Sequence, residues 1–222
     1  MNALKLTNKV LAQRLFSSFD SKKLVDWAVT LIQNDYDCES LRILAGLDNS
    51  DTQEREKYFL KSANELNINL DKKDIELIDY YADYIVEEVL TGRIQPKYAL
   101  SQMLEVVQAT NYDRKYVDFF MLDEEIDGLQ YENVTAYTID EYILNEFRLF
   151  KKIQDGGLAD YYGKAICNNC NQVMIPQLVK KYQLKRPFTY QAWACENCKS
   201  QNIDHFSTQT GKEKIITRLT RA

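Results

Sequence analysis

The chain has 222 residues and a formal net charge of −5, with 45% hydrophobic and 12% aromatic side chains, enough for one large domain or a medium one with a small companion. Seven glycines and three prolines are too few for a turn-rich sandwich or barrel, so helices with short links are expected. No apolar run is long enough to cross a bilayer, and the N-terminus lacks the apolar stretch of a secretory signal, so no membrane role and a cytoplasmic, reducing location are expected.

Taken in order, the first 155 residues predict consecutive helices. Leu4, Leu11 and Leu15 suggest the stripe of a first helix. Leu24, Trp27, Ala28 and Leu31 recur at i, i+3, i+4 and i+7, as do Leu100, Met103, Leu104 and Val107. "SLRILAGL" reads as a short buried helix ending near Gly46, and "TQEREKYFLKSANEL" as one with Tyr58, Phe59 and Ala63 inward. Ile75, Ile78, Ala82, Ile85, Val86 and Val89 form a longer stripe. Gly92 behind it supplies a left-handed stop, with Pro96 just beyond. "RKYVDFFML" and "TIDEYILNEFRLFKKI" complete the set, and Thr138 with Glu141 matches a capping box.

"QDGGLADYYG" holds three of the seven glycines and marks the expected boundary. It divides the chain into an acidic all-helical domain, 1–155, and a basic domain, 156–222. Beyond it, "QVMIPQLV" and "PFTYQAWA" are short and β-prone, and "NIDHF" is a further strand candidate. "KIITRLT" fits a strand or a short basic helix equally. The expected architecture is mainly α: a helical bundle or short helical stack, then a small β module.

Four of the five cysteines form two Cys-x-x-Cys pairs, Cys167 with Cys170 and Cys195 with Cys198, separated by 24 residues. Each pair can supply one edge of a tetrahedron, and two pairs complete a thiolate shell around Zn2+. The residue after each second cysteine is expected in a left-handed conformation, which suits Asn171 better than Lys199. A shell of four thiolates has no open position for water, so the zinc is expected to be structural. His205 is the only histidine and is expected as a packing residue. No nucleophile elbow, dinucleotide loop or phosphate loop is present, and no catalytic residue is proposed. The acids of "LDEEID" (Asp123, Glu124, Glu125, Asp127) lack the alternation of a calcium loop and read as a solvated helix end or loop.

These cysteines, with "CENCKSQNI" as a second knuckle, resemble the zinc-ribbon family over residues 164–206. The family often places glycine where this chain has Asn171 and Lys199. The helical part, especially "LVDWAVTLIQNDYDCESLRILAGLD", resembles small bacterial immunity proteins in composition and helical layout. That likeness implies a toxin, often a basic nuclease, as partner; it carries no motif residue.

Charge is unevenly spread. Residues 161–222 hold ten Lys/Arg against three acids, a net +7, which leaves −12 on the rest. An acidic body favours a basic protein partner. In "LVKKYQLKRPFTYQAW", Lys180, Lys181, Lys185 and Arg186 are interleaved with Tyr182, Phe188, Tyr190 and Trp193. Such a segment can hold phosphates and stack bases. The expectation weighted here is plainer: the aromatics fill the ribbon's small core and the lysines face solvent. The functional expectation is a non-enzymatic protein-binding protein with a structural zinc; a nucleic-acid-associated factor in transcription or RNA handling is the alternative.

Overall fold

A computed structural model describes residues 2–130 and 136–220, with side chains described for 2–128 and 138–220. It divides into two compact units, Met1–Phe120 and Met121–Ala222.

The first unit is helical: α1 (Ala3–Gln13), α2 (Lys22–Gln33), α3 (Glu39–Ala45), α4 (Thr52–Glu65), α5 (Asp74–Leu90) and α6 (Pro96–Ala109). α1 packs against both α2 and α5; α3 and α4 lie beside α2, and α6 beside α5. The helical repeat explains the core, because Leu24, Trp27, Ala28 and Leu31 all face inward. Trp27 stacks edge-on to Phe59, 4.9 Å between ring centres, and its indole N–H donates to Thr7 Oγ1 at 3.1 Å. Asp51 caps α4 by accepting from the Glu54 amide. Gly92 ends α5 at φ +73, where its amide and that of Arg93 bond back to the Val89 and Glu88 carbonyls. Pro96 opens α6 as its first residue, where no amide hydrogen is needed.

Two stripes shift from the expected positions. Leu4 and Ile75 sit in the opening turns of α1 and α5 and are exposed. Ala3, Leu6, Val10 and Leu11 are buried on α1, and Leu77 and Tyr81 join the α5 stripe. Arg55 on α4 is buried too: its guanidinium donates to the Leu47 and Asp48 carbonyls and to Ser21 Oγ, tying together the turn after α3.

α7 (Val117–Gln130) carries the boundary, and its acids lie within the helix, not in a loop. In the second unit, α8 (Ala136–Asp155) begins two residues before Thr138, so Thr138 lies inside the helix rather than at its cap. Then come a 3-10 turn (Leu158–Tyr161), β1 (Ala165–Cys167), β2 (Val173–Met174), β3 (Gln177–Tyr182), β4 (Thr189–Ala194), β5 (Ile203–His205) and α9 (Gln209–Leu219). β1 lies between β2 and β5, antiparallel to both; β3 and β4 form a separate hairpin. "KIITRLT" is therefore helical, and Thr208 caps α9 by accepting from the Gly211 amide. Arg221 lies outside the described residues.

α8 shares one core with the β module. Leu149 and Ile153 of α8 are buried with Ile166, Phe206, Ile215 and Ile216, and Leu158, Tyr161 and Tyr162 pack on them. Three residues of the glycine-rich stretch thus pack on this core, and the cut at 155/156 suggested by composition falls between residues that bury one another. Among the described residues, no helix is long and apolar enough to cross a membrane.

Candidate metal centre

β1 ends on Cys167 and β4 runs into Cys195, so each strand delivers the first cysteine of a pair. The two turns that follow are near copies. After the first, the Asn171 amide donates to the Cys167 carbonyl at 2.8 Å and the Cys167 amide to Gln172 at 3.0 Å. After the second, the Lys199 amide donates to the Cys195 carbonyl at 3.0 Å and the Cys195 amide to Ser200 at 2.8 Å. Asn171 and Lys199 have φ of +56 and +57. Both turns therefore take the left-handed step, Lys199 included, although a lysine there bears a steric cost of about 1 kcal/mol.

All four sulfurs lie within 4.8 Å of one another. Cys167 Sγ is 3.5 Å from Cys198 Sγ, and Cys170 Sγ is 3.6 Å from Cys195 Sγ. The four cysteines are free thiols. An ion with bonds of about 2.3 Å to sulfur sets tetrahedral ligands about 3.8 Å apart, so the donor set fits a thiolate-binding metal. When bound, such an ion supplies the positive charge that lets four neighbouring thiolates coexist. Cys167 and Cys195 are buried with Ala165 and Met174, and Ile203 closes the side.

The backbone prepares the charge. The Cys170 amide, then that of Asn169, bring the Cys167 thiol down to about 7. Cys198, though exposed, receives the Ser200 amide, which lowers it, but its hydrogen bonds with Cys167, Cys170 and Cys195 and some loss of solvent prevail and leave it at about 11. One thiolate thus forms readily in this cluster, and the next is opposed by it.

Around the first knuckle lies a polar brace. Asn168 Nδ2 donates to Asn202 Oδ1 and Asp204 Oδ2, each at 2.9 Å, and Lys214 of α9 bonds both Asn168 Oδ1, at 2.8 Å, and Asp204. Lys214 holds the Asp204 carboxyl below the usual carboxylate range. His205 is half-buried in β5, its ring 6.3 Å from that of Trp193, and it stands outside the ligand cluster. Gly211 is required for close approach: a Cβ there would come within 1.9 Å of the His205 carbonyl oxygen.

The β3–β4 hairpin overturns the core role expected of its aromatics. Tyr182 is 80% exposed, Phe188 58%, Trp193 50% and Leu184, near the turn, 98%. Among the described residues no second layer covers the two strands, so these side chains remain largely in solvent. Lys180, Lys185 and Arg186 are exposed as well, and Lys181 is half-buried. All four predicted basic residues lie on the hairpin or its turn, Lys180 and Lys181 on opposite faces.

Sequence reasoning missed Lys212. It is buried on α9 against Glu146 of α8; a lysine gives no signal of burial, and its partner is remote in sequence. In the first unit, a cleft of about 400 Å³ beside α1 and α5 includes Lys9, Tyr84, Glu88 and Arg93, but Arg93 is paired with Glu88 and Lys9 with the Tyr84 hydroxyl.

Compared with protein-family models, curated proteins and solved structures, the chain matches none.

Proposed function

We propose that this chain is a non-enzymatic protein-binding protein whose second unit is braced by one structural Zn2+ on Cys167, Cys170, Cys195 and Cys198. The observation that carries the reading is the hairpin. Large apolar side chains rimmed by charge, exposed on a stable scaffold, are characteristic of interaction surfaces. The thiol cluster supports the same reading: four thiolates complete a tetrahedral shell, leaving no position at which water or substrate could be activated.

The more specific form is a small bacterial immunity protein that neutralises a toxin. Its supports are the acidic balance of residues 1–160 and the compositional likeness noted above. The exposed acids of α7, Glu124, Glu125 and Asp127, would then face a basic partner. Co-expression with the product of a neighbouring gene tests this. A stoichiometric complex with a basic protein, weakened by salt, is the expected result. The alternative, a nucleic-acid-associated factor, draws on the exposed rings and lysines of the hairpin. Retention on generic DNA or RNA at low salt, abolished by Lys180→Glu, Lys181→Glu, Lys185→Glu and Arg186→Glu together, would establish it instead.

A further inference from the structure

We infer that the β3–β4 hairpin is itself a docking site, and that its occupant is an acidic protein segment carrying apolar side chains. The inference rests on the protein-binding reading and names the chemistry of the hairpin's partner, opposite in charge to one that would meet the acidic helices.

Register fixes what one face of the hairpin presents. Leu178 pairs with Trp193, Lys180 with Gln191 and Tyr182 with Thr189. Alternation along each strand puts these six on one side. Leu178 and Tyr182 are therefore about 13 Å apart along β3, with the cation of Lys180 between them. Beyond Tyr182 the turn adds Leu184, Lys185, Arg186 and Phe188, all exposed. The hairpin thus presents apolar side chains at its foot, Leu178 and Trp193, and toward its turn, Tyr182, with the cation of Lys180 between them.

The charge selects an anionic partner. From Tyr161 to Cys195 the sequence has no Asp or Glu, yet it contains Lys164, Lys180, Lys181, Lys185 and Arg186. No acid within the hairpin neutralises Lys180, Lys181, Lys185 or Arg186, and a partner's carboxylates would.

The apolar side chains select protein over nucleic acid. Flat rings can stack on bases, but Leu184 at 98% exposure, Ile175 at 66% and Leu178 at 50% are aliphatic. Aliphatic groups gain by burial against another apolar surface. They also extend from the turn back to the foot of the hairpin, further than insertion of a tip into lipid would use.

The test is selection of displayed random dodecapeptides on the zinc-loaded full chain, followed by anisotropy of labelled winners. Enriched peptides should combine Asp or Glu with Leu, Phe or Trp. Their affinity should fall about tenfold or more with Tyr182→Ser plus Leu184→Ser, and similarly with Lys180→Glu plus Arg186→Glu. These side chains are exposed, so zinc content and helical signal should stay unchanged, and loss of either would be read from circular dichroism and metal analysis before binding is scored. Enrichment of basic peptides indifferent to the hairpin variants would overturn the inference while leaving a protein-binding role to the acidic helices. Enrichment of no peptide would overturn both. Hairpin-dependent uptake of single-stranded oligonucleotide, or of phosphatidylserine vesicles, in place of acidic peptides would overturn the inference in favour of that ligand.

Discussion

Lys212 of α9 donates to Glu146 of α8 inside the second unit, and their side chains are only 1% and 4% exposed. Removing one member takes a buried ionic partner from the other. Lys212→Met or Glu146→Leu should each cost about 3–5 kcal/mol, whereas the two together should cost far less than the sum. Urea unfolding of the four species closes the cycle; single costs below about 1 kcal/mol would show that water reaches the pair.

Zinc removal should act locally. The purified, reduced protein is expected to carry one zinc per chain, and Cys195→Ser should abolish it. The β module and α9 should then lose structure, while the first unit keeps its helices. Metal analysis with circular dichroism checks this. Collapse of nearly all helical signal would mean that the first unit depends on the metal.

The knuckle turns offer a finer test. Lys199→Gly relieves a left-handed lysine and should stabilise the metal-loaded protein by about 0.5–1 kcal/mol, while Asn171→Val, β-branched at the same angle, should destabilise it by more than about 1 kcal/mol. Thermal midpoints of the loaded proteins read both, and equal shifts in one direction would exclude the left-handed step as the cause.

Acid sensitivity is expected in the first unit at Glu65. Its carboxylate accepts from the Ser40 hydroxyl at 2.5 Å and from the Ser40 amide at 3.2 Å, at the start of α3. The Ser40 hydroxyl, then the Cys38 thiol and the Ser40 amide, hold it below its ordinary value. A carboxyl with a lowered folded pKa stabilises above its unfolded pKa, and that contribution fades as pH falls through the folded value. Glu65→Gln should therefore lower the urea midpoint at neutral pH and lose that difference in acid. A difference that persists undiminished at the lowest pH would mean the carboxylate charge is not the cause.

How far the sequence could be read depended on whether a residue's role is local. The cysteine pairs, the left-handed Asn171 and the Gly92 stop each follow from a few adjacent residues, and each is found where expected. The helices of residues 1–155 followed from periodicity, but Leu4 and Ile75, in first turns, reach past the core, and Leu15 falls in the turn beyond α1. The exposed hairpin did not follow, because Tyr182 and Trp193 look the same in a buried strand and in a bare one until the layers are counted. The packing of α8 against the ribbon was hidden by a composition break: charge changes sign near residue 160, yet Leu149, Ile153 and Phe206 ignore it. Lys212 was hidden for the same reason, because its partner is far away in the chain.

β1 serves two masters within three residues. Ala165 and Cys167 line the thiol cluster, whereas Ile166 enters the core closed by α8 and α9. Whatever loosens the knuckle is therefore expected to unseat α9 from its bed. Limited proteolysis with and without added metal then becomes the expected gauge, the metal-stripped protein being trimmed in its second unit while the first persists.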